Sequence, residues 1–298
     1  MYKTKGSVAV LVGGASFGIL STFVKKAYQQ GYSLAEVTGI QAFLGLFLLW
    51  LAWWVITSLK PSSSNYSVQH PTPKYKIVFA GISTGAVSIL YYKCIEIVPA
   101  SLAIILLMQY IWIGQIIEFL FFKLKPQLNQ LLTILFVLVG TILATGALEH
   151  PISYFPLSGI IYGLLAATAY SIFIIVNGRV GNEYHPLQKS ALMITGAFLL
   201  VFVTLRPWSL LSEDTFVDLL YYGIPLAIFG TVAPPLLFAY GMPRTGYSLG
   251  AVLSTIELPV AVFMSYLVLQ ESVSWIKWIG VVLIIVTIVW KNTRSKSQ

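Results

Sequence analysis

This sequence has little charge: only 9% of its 298 residues are Asp, Glu, Lys or Arg, where a soluble domain carries about a quarter. It has one cysteine, Cys94, so no intrachain disulfide can form and a bridged secreted scaffold is excluded. Its three histidines, His70, His150 and His185, lie between apolar runs, as do Asp214 and Asp218. A metal cluster, a buried Ser–His pair or an intramembrane aspartyl dyad cannot be assembled from them. A GxxxxGK[ST] phosphate loop is also missing, which argues against nucleotide-driven work by this chain. No metal, no cofactor and no enzymatic activity are expected. What the sequence does have is apolar surface, at 57% hydrophobic residues and a mean hydropathy of +0.83. A protein interior cannot hide that much, but lipid can take the place of a wet exterior. The net charge of +8 would suggest nucleic acid in another context. Here the basic residues sit in loops, where they set membrane topology, and no nucleic-acid partner is expected.

A helix crossing the hydrocarbon needs roughly 20 predominantly apolar residues. That length divides the chain into ten spans, at 7–27, 35–58, 76–95, 99–122, 128–148, 156–178, 187–205, 216–241, 246–269 and 274–291. The breaks carry turn and stop residues, as at Gly31-Tyr32-Ser33, Lys125-Pro126, His185-Pro186 and Pro243-Arg244. Lys3 and Lys5 resemble a signal-peptide start, but the apolar stretch from Ser7 to Val24 is too long for one and is expected to stay as the first span. With a cytoplasmic N-terminus, only Lys25, Lys26, Lys93, Arg206 and Lys277 of the 18 basic residues fall outside. The positive-inside rule therefore places both termini in the cytoplasm. The expected fold is an all-α membrane protein of ten transmembrane helices in two inverted five-helix repeats, residues 1–150 and 151–298. Together they form one integral membrane domain in the plasma (bacterial inner) membrane.

The two halves share a texture of small residues that lets helices pack closely. The first span contains Gly14-Ala15-Ser16-Phe17-Gly18 and the sixth Ala166-Ala167-Thr168-Ala169-Tyr170-Ser171; the fourth and ninth open on Ala100-Ser101-Leu102-Ala103 and Gly246-Tyr247-Ser248-Leu249-Gly250-Ala251. An odd number of helices per repeat inverts the second half, a design used by transporters with a midplane site. The pattern resembles the drug/metabolite transporter superfamily, in particular its ten-helix EamA-type members. The resemblance runs over about residues 6–291, and Glu257, Pro259, Glu271 and Gly280 stand at positions of the family pattern. The chain departs from that pattern at Gln41, at Gln109-Tyr110-Ile111-Trp112 and at Lys125. The resemblance implies secondary transport of a small organic metabolite through a central cavity lined mostly by spans 1, 3, 4, 6, 8 and 9.

Two acidic residues lie well inside spans, Glu118 and Glu257, and ionisable groups at membrane depth are functional candidates by default. Glu257 falls close to the midplane with no basic residue at similar depth, so it should hold a proton or meet a cation from outside the protein. That makes proton-coupled exchange the leading mechanism. The alternatives are an uncoupled facilitator, or a scaffold or receptor whose cavity is filled and whose Glu257 is structural. Gln109, Trp112, Gln115 and Glu118 recur at steps of three, a stripe that drifts around a straight helix, so Gln109 and Glu118 cannot share one tight site. Gln109 and Tyr110 are candidates for lining the cavity, and Glu118 for an inner vestibule. Phe17, Tyr91, Tyr92, Tyr110, Trp112 and Tyr170 are the aromatic candidates, able to stack on apolar solutes or hold a quaternary ammonium. Pro234-Pro235 removes two helical donors and marks a candidate hinge. The expected partners are a small-molecule substrate, the bilayer and protons as coupling ion; a monomer is expected, with a dimer left open.

The charge bias makes a direct prediction. In a Cys94→Ser background, a cysteine at Ser63 should be shielded from an impermeant reagent added outside intact cells, while one at Ser153 should react. Labelling of Ser63 from outside would reverse the topology.

Overall fold

Inside lipid a chain can satisfy its backbone only within its own helices or a closed barrel. The computed structural model describes residues 2–59, 71–98, 100–125, 127–145, 148, 156–268, 270 and 272–296, and these contain helices and no strand. The helices are α1 (Tyr2–Gln29), α2 (Leu34–Leu59), α3 (Lys74–Ile97), α4 (Ala100–Met108), α5 (Tyr110–Phe122), α6 (Leu128–Ala144), α7 (Leu157–Arg179), α8 (Pro186–Leu205), α9 (Glu213–Leu226), α10 (Ala233–Thr245), α11 (Tyr247–Ser254), α12 (Glu257–Val268) and α13 (Trp275–Lys296). A 3₁₀ turn, Trp208–Leu211, precedes α9, and a π-helical segment, Ala227–Val232, joins α9 to α10. The ten sequence spans map onto these elements in order. Nine are long and apolar enough to cross a membrane among the described residues, and α6 follows with 17 residues, shorter than the expected 128–148. Glu271, His70, His150, Ser63 and Ser153 lie outside the described residues.

Three spans are interrupted, each for a local reason. In the fourth, the Gln109 amide turns to the Leu106 carbonyl at 3.2 Å, a 3₁₀ contact, and the Gln109 side chain donates to the Ile105 carbonyl at 2.8 Å in its place. A side chain has replaced one rung of the helical ladder. In the ninth, Pro259 has no amide for the Thr255 carbonyl, which instead accepts from Leu258 at 3.1 Å, and α12 starts anew at Glu257. In the eighth, Pro234 and Pro235 withdraw the donors that would meet the carbonyls of Gly230 and Thr231. The backbone upstream widens into the π segment, a feature frequent at functional sites. The fourth and ninth spans hold the same place in the two halves, and both are broken.

The main helix–helix packing runs between halves. α3 lies on α7 and α8, α1 on α10 and α12, α2 on α8 and the π segment, and α6 on α13. This pattern is two-fold symmetric: the first span meets the eighth and ninth as the sixth meets the third and fourth. The tightest backbone-to-backbone approach among the described residues is α3 on α8. A methyl group at Gly81 would stand 1.8 Å from the Met193 carbonyl oxygen, and one at Gly196 would stand 1.8 Å from that of Val78. Small residues allow this contact, which takes the place of a hydrophobic driving force that lipid cannot supply.

Overpacking that contact should be costly. Gly81→Ala or Gly196→Ala is expected to destabilise the fold by about 1–3 kcal/mol, read as a lower thermal midpoint in detergent. An unchanged midpoint for both variants would show that α3 and α8 are not held this closely.

Candidate functional site

Glu257 is the first residue of α12, and its position depends on the glycines of α1. A methyl group at Gly18 would lie 2.4 Å from the Glu257 carbonyl oxygen and one at Gly14 2.8 Å from that of Ser254. Without side chains there, α1 settles directly on the break in the ninth span and holds the carboxylate toward the centre of the bundle. Glu257 is buried, and its one hydrogen bond among the described residues comes from the Tyr170 hydroxyl of α7, at 3.3 Å. Tyr170 is fixed in turn by rings. Phe17 of α1 meets it edge-on with centroids 5.8 Å apart, Phe173 stacks on it at 5.7 Å, and Tyr110 approaches at 4.7 Å.

These groups border a central cavity of about 50 Å³, room for a few water molecules. Phe17, Tyr91, Tyr92, Tyr170, Phe173 and Glu257 line it, with Thr38 and Gln41 of α2, Thr84 and Ser88 of α3, and Gly230 and Thr231 of the π segment. The second and seventh spans, the latter through Ile194, Ala197 and Val201, thus join the helices that the family resemblance implies. They reach the cavity because α2 packs across the halves onto α8 and the π segment. A polar relay crosses one wall: the Tyr92 hydroxyl donates to Gln41 Oε1 at 2.8 Å, and Gln41 Nε2 donates to Thr231 Oγ1 at 3.0 Å. Among the described residues the buried hydroxyls of Thr38 and Thr84 have no hydrogen-bond partner, and such groups in a cavity wall are available to a bound molecule. Neither this relay nor the role of α2 was visible in the sequence, where Gln41 stood out only as a departure from the family pattern.

The remaining candidates lie elsewhere. Gln109 and Trp112 pair with each other, Trp112 Nε1 donating to Gln109 Oε1 at 2.7 Å, and Trp112 is exposed on the outer surface of α5. Tyr110 is buried next to the cavity but clamps two broken helices together. Its hydroxyl lies 2.8 Å from both the Ala251 carbonyl and Ser254 Oγ of α11, while its own carbonyl accepts from Ser171 and from Tyr247, both at 2.9 Å. Glu118 is buried in an ion pair with Arg179 of α7, at 2.7 Å, and the guanidinium also covers the Phe122 ring. Lys189, buried at the start of α8, donates to the Asn177 carbonyl at 2.7 Å and to Asn182 Oδ1 at 2.8 Å. The Glu118–Arg179 and Lys189 contacts lie at the helix ends nearer the two chain ends, whereas the Tyr110 contacts lie at mid-span beside the cavity. The cavity lies at mid-depth and in the other half, where α1 contributes Ser21 and α3 Tyr91. Polar contacts therefore tie the helices together both beside the cavity and on its terminal side.

Pro234 and Pro235 sit buried immediately after the π segment, whose Gly230 and Thr231 form part of the cavity wall. Replacing both with Ala restores two donors to the ladder and should convert the π turn to α geometry. Turnover is then expected to fall by roughly tenfold or more while substrate affinity changes little, because conformational steps set many turnover rates. Flux and equilibrium binding measured on the same preparation separate the two. Unchanged turnover would leave the segment as packing alone.

Similarity to known proteins agrees with this architecture. The sequence profile of the EamA-like transporter family matches twice, over residues 4–146 and 157–293. A Bacillus subtilis protein named as an uncharacterized transporter, YcbK, is 23% identical over 285 residues, covering 92% of this chain and 88% of its own. The threonine/homoserine exporter RhtA of Salmonella typhimurium is 23% identical over 274 residues, 86% of this chain and 84% of its own. One solved crystal structure superposes with a TM-score of 0.70 at 15% identity, over 96% of this chain and 98% of its own, which speaks for the fold.

Proposed function

Because the chain belongs to the EamA-like transporter family and is a multi-pass membrane protein of that type, we propose that it is a secondary carrier in which Glu257 couples a small metabolite to protons. The observation behind this reading is one buried carboxylate, in a small central cavity, at the break of a membrane-spanning helix. An empty cavity favours the protonated form, since a bare charge there costs several kcal/mol. A substrate that neutralises the carboxylate lets the proton go, so the two compete for one group. Alternating access follows if the contacts of Tyr110 with α11, beside the cavity, and of Glu118 with Arg179, nearer the chain ends, part as the opposite half closes. Broken helices are suited to this, because each half-helix can tilt without dragging its partner. We place the protein in the bacterial inner membrane with both termini cytoplasmic, on the distribution of Lys and Arg, and take residues 1–150 and 151–298 as its two repeats.

Glu257→Gln keeps the shape and hydrogen bonding of the side chain but cannot ionise. Proteoliposomes loaded with a pH-sensitive dye report proton movement as a panel of amino acids and amines is added outside. The parent should respond to at least one solute, and the variant should fold, insert and respond to none. Coupled flux that survives in Glu257→Gln would remove the carboxylate from the mechanism.

A further inference from the structure

We propose that the central cavity takes a small organic monocation without an ionised acid group, and that one such cation exchanges for one proton on Glu257. This rests on the reading of the cavity as the transport site and narrows it to a substrate class. The argument is one of charge. Among the described lining residues Glu257 is the only carboxylate, and none is Lys, Arg or His. The titratable groups facing it are phenols: Tyr170 from α7, Tyr91 and Tyr92 from α3, and Tyr110 from α5. α1 presents Phe17 and Ser21, and the π segment presents Gly230 and Thr231, with no charge on either. Lys25 of α1 and Lys277 of α13 border a second cavity, which meets the first at Ser21 and has Leu258, Ala261 and Val262 in its wall; neither lysine lines the cavity that holds Glu257.

When a carrier closes over its cargo, the enclosed contents pass through hydrocarbon depth, and an unneutralised charge there is costly. Two neutral fillings leave no ionised group without a counter-charge across the cavity: a protonated Glu257 alone, or an ionised Glu257 with one monovalent cation. A zwitterion is poorly served by both forms. With Glu257 ionised it leaves its own carboxylate uncompensated, and with Glu257 protonated the filling is neutral in sum but its ammonium and its carboxylate both stand without a counter-charge from the lining. A dication leaves one positive charge over, and an anion has no partner at all. The uncharged lining fits the same class. The faces of Phe17, Tyr170 and Phe173 can hold an alkylammonium by cation–π attraction, and the unpartnered hydroxyls of Thr38 and Thr84 can accept from an ammonium N–H or bond a substrate hydroxyl. Each half-cycle moves one positive charge, proton or cation, so the full exchange is electroneutral.

The test uses matched pairs that differ in the acid group: choline against glycine betaine, and isobutylamine against valine. They are added to the purified full chain in weakly buffered detergent with a pH indicator, while tryptophan fluorescence follows binding. At least one cation should bind ~10-fold or more tightly than its acid-bearing partner and release a proton for each molecule bound. Glu257→Gln, checked for folding by size exclusion, should release none. If that variant does not fold, Glu257→Asp, which keeps an ionisable acid on a shorter arm, should still release the proton. Equal or tighter binding of betaine or valine, cation binding without proton release, no binding by either cation, or release that persists in Glu257→Gln would each overturn the proposal. In proteoliposomes the supported case is exchange driven by a pH gradient and insensitive to an imposed membrane potential. Movement of valine or betaine in place of the cations would leave the carrier reading intact and remove the substrate class. Cations that bind with proton release but are never moved would do the reverse.

Discussion

Backbone that leaves helical geometry at membrane depth must find its hydrogen bonds within protein, and this constraint arranges the centre of the molecule. The fourth, eighth and ninth spans are each interrupted, at Gln109, at Ala227–Val232 and at Thr255-Ile256. The freed groups are met locally, by the Gln109 side chain at Ile105 and by a tightened turn at Thr255, or across helices, by Tyr110 at Ala251. Lipid offers no such partners, so interrupted helices belong in the interior or along a cavity. Glu257 and Thr231 are at the cavity because they sit at two of these interruptions. The site follows from where the main chain could afford to break.

The same economy governs the polar side chains of the bundle. Toward the terminal face polar groups pair across helices, Glu118 with Arg179 and Lys189 with Asn177 and Asn182, and beside the cavity Tyr247 and Ser171 pair with the Tyr110 carbonyl, although Asn177 Oδ1 and Ser190 Oγ have no partner among the described residues. In the cavity the matching is incomplete. Thr38 and Thr84 are left over, and Glu257 has a single long hydrogen bond. Paired groups stiffen the seam they join, whereas unpartnered hydroxyls in a cavity wall can still bond a bound molecule.

Much of this was legible in the sequence, and the exceptions have physical causes. Ten apolar runs became ten spans in order because hydrocarbon thickness fixes helix length. Pro234-Pro235 announced an irregularity because a missing amide is a property of the residue itself. Glu257 was conspicuous as a carboxylate with no basic residue at its depth. The break at Gln109 was not legible, since neither proline nor glycine marks it and it depends on a side chain folding back on its own helix. Gln41 stood out only as a departure from the family pattern. Its role needs the register of α2 against the π segment, set by contacts 190 residues apart. Arg179 read as a topology charge because its partner Glu118 belongs to the other half of the chain. Periodicity along one helix carries no information about which helices will meet.

The interleaving of the two halves also bears on how the protein is made. α1 finds its main partners in α10 and α12, and α2 and α3 find theirs in α8. At a translation rate of about 5–20 residues per second, the first helix waits roughly 10–40 s for the segment that will cover its glycine face. During that interval Gly13, Gly14 and Gly18 are open to any neighbouring helix with a small-residue face, including those of other nascent chains. Synthesis of this carrier therefore calls for an insertion machinery that shelters early helices, or for a membrane dilute enough that the chain meets its own second half first.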